Sequence, residues 1–263
     1  MDLELKEKVA FVSGGSRGIG LAIAKELARQ GARVAVAART RDDLEAAATT
    51  IGREGDTEVF AAECDTRDAG SVRKATEAIH DRFGRIDILV NCAAKPGGYV
   101  HELVPDAHEL LAQDLDTKVL GYLRCVEAVA PIMREHGWGR IVNIAGLAAR
   151  SSSSLSGVRN LALVHLGKTL SDQLGRDGIT VNTVHPGATR TERTERADAE
   201  RMTEEGVTRE QIERERAAAT AIGRMVDSRE VAWLVAFLCS PRAAAITGES
   251  IGVGGGVGHA VFP

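Results

Sequence analysis

The stretch Val9–Gly20, VAFVSGGSRGIG, constrains the chain more than any other. Lys8 to Val12 is a short apolar run with a β-strand bias, and Ser13 opens a loop holding Gly14, Gly15, Gly18 and Gly20. From Ile19 onward, Ala22, Ile23 and Leu27 fall on one helical face. A strand that passes through a glycine turn into a helix N-terminus offers free N–H groups and the positive end of the helix dipole to an anion. The missing side chains let a phosphate approach the backbone. The spacing is Gly-x-x-x-Gly-x-Gly, not the Gly-x-Gly-x-x-Gly dinucleotide fingerprint. The plainer reading is a turn whose glycines only let the helix pack on the strand.

Strand-like and helix-like patterns alternate downstream, which argues for a parallel sheet with helices on both faces. Strands are expected at Arg33–Ala38, Glu58–Ala62, Ile86–Asn91, Arg140–Ala145, Thr180–His185 and Glu249–Val253. Helices are expected at Arg41–Arg53, opened by a Thr40–Asp43 capping box, and at Ser71–Phe83, Pro105–Gln113, Asp116–Glu135, Leu155–Arg176 and Ser228–Cys239. The segment Arg190–Arg216 is dense in mixed charge and compatible with helix. Neither a repeat nor a linker interrupts the pattern, so the 263 residues read as one domain.

A net charge of −4 with both signs mixed argues against a nucleic-acid or membrane-surface partner. The N-terminal MDLELKEK carries no apolar leader, and no run is long enough to span a membrane, so the chain is expected in the cytoplasm. Cys64, Cys92, Cys125 and Cys239 lack metal-ligand spacing and read as reduced packing residues.

The motifs SGGSRGIG at 13–20, Asp65, NCAA at 91–94, GRIVNI at 139–144, GITVN at 178–182, HPG at 185–187 with Thr191, and ITGESIGVGGG at 246–256 occur in one order. Together they resemble the short-chain dehydrogenase/reductase family over nearly the whole chain. The resemblance implies an α/β, single-domain Rossmann fold: a doubly wound parallel sheet of about seven strands that binds NAD or NADP at the strands' carboxyl ends. It implies that Gly14, Gly18, Ile19 and Gly20 hold the pyrophosphate, with Ser16 also at the cofactor. Asp65 would accept from the adenine amino group, Asn91 would support the loop beneath, and Pro186, Gly187 and Thr191 would hold the nicotinamide. It also implies a homo-oligomer, a tetramer first of all, paired through the helices at Asp116–Glu135 and Leu155–Arg176. Leu161, Val164 and Leu170 are then candidates either for that interface or for the core.

Cofactor choice turns on the end of the second strand, where an acidic side chain binds a ribose 2′-hydroxyl and repels a phosphate. Here the chain reads Ala37-Ala38-Arg39, and Arg17 lies in the glycine loop, so NADP(H) is favoured over NAD(H).

At the catalytic positions the chain departs from the family pattern. GRIVNI and GITVN fix the register, and the usual Asn, Ser, Tyr and Lys become Lys118, Gly146, Ser156 and Asn160. The only tyrosines, Tyr99 and Tyr122, lie far from that helix in sequence, so no shift of register restores the pattern. The amide and the amine look exchanged. A Lys118 ammonium reaching in from the opposite helix, held by the Asn160 amide oxygen, would restore the missing positive charge. Desolvation there would pull its pKa down. The alternative has Lys118 in solvent and Asn160 bonded to its own helix or the ribose. Ser151–Ser154 are extra hydroxyls or loop filler, Arg159 a site group or a surface cation, and His185 a titrating group or a packed strand end. Tyr122 reads as core, and residues 190–222 as a charged lid.

The expected function is hydride transfer between NADP(H) and a small carbonyl or activated enone, with poor activity on simple ketones. A redox-silent NADP(H)-binding protein, or an isomerase or lyase reusing the pocket, remains open.

Overall fold

The computed structural model describes residues 2–94, 104–151 and 154–258. Its first half comprises Val9–Ser13 (β1), Gly18–Arg29 (α1), Arg33–Ala38 (β2), Arg41–Gly55 (α2), Val59–Glu63 (β3), Ala69–Phe83 (α3) and Ile88–Asn91 (β4). The second half runs through Ala107–Leu115 (α4), Gly121–Glu135 (α5), Gly139–Ile144 (β5), Ser156–Leu174 (α6) and Ile179–Pro186 (β6). Thr189–Arg190 (β7), Glu192–Glu204 (α7), Arg209–Ala218 (α8), Val226–Asp227 (β8), Ser228–Leu238 (α9) and Ser250–Val253 (β9) complete it.

Seven strands pair in parallel in the order β3-β2-β1-β4-β5-β6-β9. Strands β1, β4, β5 and β6 are buried along their whole length, because helices cover both faces of the sheet. Successive residues divide between two cores. Ala10 and Val12 pack toward α1, α2 and α9, while Val9 and Phe11 pack toward α3, α5 and α6. The chain moves outward through β1, β2 and β3, then returns to place β4 beside β1. The reversal opens a crevice at the carboxyl ends of those two strands, where open α/β sheets bind ligands.

The expected strands are all present, with ends shifted by up to two residues, and β2 has the expected bounds. Two local readings need correction, at Thr40 and at Asp116, and two left open by the sequence are resolved, at the charged segment and at Leu161 and Leu170. Thr40 is the N-cap of α2, but its side chain caps nothing. Asp43 stands at the third helical position, where Glu or Gln is the usual partner, and no capping box forms. Complete capping boxes form instead at Thr191/Thr194, Thr208/Gln211 and Asp227/Glu230. The expected helix from Asp116 begins as a π-turn, Asp116–Leu120, joining α4 to α5 in one rod. The charged segment is not one helix but α7 and α8, tied back to the body by parallel pairing of β7 with β8. Leu170 belongs to the core, whereas Leu161 is 56% exposed.

Cys64, Cys125 and Cys239 are buried, Cys92 half-buried, and all four are free thiols. Among the described residues no helix is long and apolar enough to cross a membrane, and no His/Cys/Asp/Glu cluster suits a metal. Tyr99, Ser152 and Ser153 lie outside the described residues.

The glycine turn is among the tightest packing in the fold. A Cβ on Gly20 would stand 2.2 Å from the Gly14 carbonyl oxygen. Gly20→Ala is therefore expected to destabilise the protein by about 1–3 kcal/mol. Gly84 is left-handed and faces open space, so Gly84→Asn carries only the backbone strain, which Asn tolerates better than most residues, and should cost less, about 1 kcal/mol or under. Thermal unfolding of both variants beside the parent checks the contrast.

Candidate active site

The glycine-loop side of the crevice is built from backbone. Gly14 sits at φ +70°, and a Cβ there would meet the Ala93 backbone at 2.8 Å, so the loop after β1 lies pressed on the segment after β4. Asn91 is fully buried beneath it and donates from Nδ2 to Asn143 Oδ1 at 3.0 Å. Helix α1 starts at Gly18 with no side-chain cap and no acidic residue in its first turn. Its Gly18 N–H donates instead to Glu192 Oε2, 3.2 Å away, on the first residue of α7. The uncapped helix terminus thus holds a carboxylate from another element.

Arg17, next to Gly18, and Arg39, just past β2, are exposed, and Ser16 is half-buried. Asp65 is gripped by Arg67, whose Nε and Nη2 reach both carboxylate oxygens at 2.8–3.3 Å. This contact holds the Asp65 carboxyl below the usual carboxylate range, with a smaller contribution from Arg39. At the far side, the Gly187 N–H after Pro186 donates to the Val253 carbonyl at 2.9 Å. Thr191 caps α7 through its capping box with Thr194, and its methyl lies 3.9 Å from where a Gly18 Cβ would be. Glu192 and Arg67 were not singled out from the sequence. Their only signals were adjacency to Thr191 and to Asp65.

On the chemical side, β5 ends in three successive carbonyls, each taken by a donor from a different element. Tyr122 Oη on α5 donates to Ile144 O at 3.1 Å, and Lys118 Nζ in the π-turn donates to Ala145 O at 2.9 Å. His185 Nδ1 at the end of β6 lies 3.0 Å from Gly146 O, and its Nε2 lies 2.9 Å from Ser250 Oγ. These partners make His185 a neutral imidazole with its proton on Nδ1. Burial pushes its pKa down, so it is the packed strand-end histidine. Burial likewise pushes the Tyr122 hydroxyl well above its ordinary range, as expected of a core residue.

Lys118 is not in solvent. It is 4% exposed, and burial, with the Arg159 cation second, brings its pKa down to about 7. Asn160 on α6 reaches the same turn, with Nδ2 3.1 Å from the position of a Gly146 Cβ. No direct Lys118–Asn160 bond forms: Asn160 Oδ1 is buried without a partner. Lys118 and Asn160 thus converge on the Ala145–Gly146 turn from two helices. Ser156 is buried in the first turn of α6 and lies 2.9 Å from Ser154 Oγ. Arg159 is no surface cation. It is 5% exposed and paired with the equally buried Asp114 of α4.

The sequence pattern of a family described as enoyl-(acyl carrier protein) reductase matches residues 14–258. The short-chain reductase protein NovJ of Streptomyces niveus is 35% identical over 253 residues, 95% of this chain and 94% of its own. The crystal structure of L-sorbose reductase from Gluconobacter frateurii with NADPH and L-sorbose superposes with a TM-score of 0.88 at 29% identity, covering 98% of each chain. An NAD+-bound xylitol dehydrogenase superposes at 0.86 with 26% identity, covering 96% of this chain and 100% of its own. One of these structures holds NADPH and the other NAD+, so shape alone does not choose the cofactor. With its glycine turn, its crevice at the β1–β4 reversal and a match over most of its length, the chain belongs to the short-chain dehydrogenase/reductase family.

Proposed function

We propose that this chain is a single-domain, NADP(H)-dependent reductase of a small carbonyl or activated enone, with Lys118 as its catalytic acid. The observation that carries the reading is a buried amine with a pKa of about 7, held on the Ala145 carbonyl beside the turn where the family's serine would stand. An acid works best when its pKa lies near the operating pH.

The residues present fit the cofactor. The carboxylate on Gly18 N–H marks an anion site, Gly14 and Gly20 leave no room for side chains beside it, and Arg17 and Arg39 supply guanidiniums where a 2′-phosphate would lie. NADPH when bound supplies the hydride to the substrate carbon. The Ala145 carbonyl orients the Lys118 ammonium, which gives its proton to the substrate oxygen and is recharged from solvent. Asn160 Oδ1 offers an unpaired acceptor for a ribose or substrate hydroxyl. In the proposed roles Gly14, Ser16, Gly18, Ile19 and Gly20 hold the pyrophosphate region, Asp65 the adenine, and Pro186, Gly187 and Thr191 the nicotinamide. Residues 190–222 form a lid.

The reaction is tested by NADPH consumption against a panel of carbonyls and activated enones. Gly146 has no hydroxyl, and losing one oxyanion donor costs about 10²–10³ in rate. Simple ketones should therefore turn over below about 1 s⁻¹, the low end for enzymes, with enones faster. Lys118 is required in its protonated form, so kcat/KM should be level below its pKa and fall as pH rises through about 7. Lys118→Met should abolish turnover. A Met variant as active as the parent overturns the assignment.

Calorimetric titration tests the cofactor. NADPH should bind tighter than NADH, Arg39→Ala should remove most of the difference, and Glu192→Gln should tighten NADPH by relieving competition at Gly18. Equal affinities for the two cofactors in the parent protein overturn the choice.

We also propose self-association, a tetramer, through the exposed apolar side chains Leu120, Val158 and Leu161. Light scattering should return a multiple of the 27.9 kDa monomer mass, and Leu161→Asp should lower it. A parent protein of monomer mass refutes it.

A further inference from the structure

Lys118 is buried, and its charge is set by what faces it. Around it stand Asp114 one turn earlier in the same rod, Arg159 on α6, Cys92 after β4, Tyr122 on α5 and His185 on β6. Three of these are uncharged near neutrality. Burial pushes the Cys92 thiol up to about 11 and the Tyr122 hydroxyl well above its ordinary range, and holds His185 neutral. The charges facing Lys118 are therefore one carboxylate, Asp114, and one guanidinium, Arg159.

Asp114 and Lys118 stand at i and i+4, the spacing at which an acid and a base on one helix ordinarily pair. Here they do not. Asp114 Oδ1 is taken by Arg159 Nη1 in a pair buried between α4 and α6, and the Lys118 amine turns to a neutral carbonyl. Among the described residues Lys118 has no ion-pair partner. The pair is not an efficient way to join two helices. Both ions lose their water, and Arg159 Nε is left buried without an acceptor.

We propose that Arg159 is a positioning residue: by holding the Asp114 carboxylate across the α4–α6 contact, it keeps that carboxylate from pairing with Lys118 and leaves the amine directed at Ala145 without a counter-ion. The inference rests on the reading of Lys118 as the acid, and extends it by naming what keeps the acid deprotonable. Without Arg159, a carboxylate one turn away would claim the ammonium, draw it off the Ala145 carbonyl and hold its proton.

The test reads the amine itself. The chain has seven lysines, so protein labelled with ¹³C at lysine Cε gives few signals, and Lys118→Met identifies the one that belongs to Lys118. Titrated by NMR across the neutral and alkaline range, the parent signal should move at about pH 7. Arg159→Met should raise that midpoint by about one to three pH units, the effect of an opposite charge within pairing distance. Asp114→Asn should lower it, the double variant should return close to the parent, and Arg159→Lys should stay close to it. Loss of a fixed charge alone moves the two single variants in these same directions, so re-pairing is read from the unshifted signal as well. Below its midpoint the Lys118 Cε resonance should leave its parent position in Arg159→Met, as the amine quits the Ala145 carbonyl, and keep it in Asp114→Asn. A resonance that keeps its position in both overturns the positioning role.

Unchanged midpoints, or shifts of the same sign, overturn the proposal. If Arg159→Met does not fold, Asp114→Asn and the double variant decide by the same signs. Midpoints that behave as stated while parent turnover ignores the Lys118 protonation state would refute the acid assignment and leave this proposal standing. Turnover that tracks Lys118 while the midpoints stay fixed would do the reverse.

Discussion

The end of β5 is the point on which the site depends. Buried Ile144 and Ala145 and half-buried Gly146 present three consecutive carbonyls, the last of them also met by the Ala149 N–H, and a buried carbonyl without a donor is costly. The strand partner cannot supply all the donors, because the chain leaves the sheet here. Side chains do so instead: Tyr122 from α5, Lys118 from the π-turn and His185 from β6. His185 also meets Ser250, which joins β9 to the same network. Satisfying three peptides thus fixes four elements around one turn. It also places an amine in a dry site with only a neutral acceptor. A π-turn is a common device at such a place, since its extra residue re-aims a side chain without ending the helix. Without that re-aiming, Lys118 would follow the regular phase of the rod.

The other wall of the crevice is governed by a charge in opposition to its proposed ligand. Helix α1 has no cap and no acidic first turn, so its orphan N–H groups need a partner from elsewhere. Glu192 provides one and in doing so draws the start of α7 down onto the glycine loop. The seating of α7 and the capping of α1 become one contact. A phosphate bound at the same N–H group, as proposed, offers it more charge than a carboxylate does, and the α7 contact must be exchanged for it. Affinity for the proposed dinucleotide is then set against the stability of that contact.

Most of the sheet was legible in the sequence, because strands buried on both faces write themselves as unbroken apolar runs. Arg33–Ala38 is the clearest case. The glycine turn was legible too, since its residues must be small whatever surrounds them. Lys118 and Asn160 could be placed from GRIVNI and GITVN, which carry the register into each helix. What could not be read was the direction of long polar side chains. Arg159 was as compatible with solvent as with the interior, and only the fold brings Asp114 to it. Glu192 and Arg67 act on residues whose proximity arises from backbone geometry or from a short turn, and neither carries a periodic signal. Thr40 is an N-cap by position, as expected, yet its side chain takes no N–H of α2. The charged segment at 190–216 gave composition without pattern, and its division into α7 and α8 follows from caps at Thr191 and Thr208.

The Asp114–Arg159 pair makes physical sense only beside Lys118. Two well-packed apolar side chains would join α4 and α6 as well or better, since the desolvation of a buried ion pair commonly offsets its attraction. Removing one partner alone would expose a buried charge, an effect of about 3–5 kcal/mol where no substitute exists. Lys118 is such a substitute for Arg159, lying one turn from the same carboxylate. The three groups therefore form a cluster with two arrangements, one pairing Asp114 with arginine and the other with lysine. Arginine wins because its guanidinium is weakly hydrated and keeps its charge when buried, whereas a buried amine gives its proton up. The structure adopts the arrangement in which the permanent cation takes the anion, and the group able to release a proton is left on the Ala145 carbonyl.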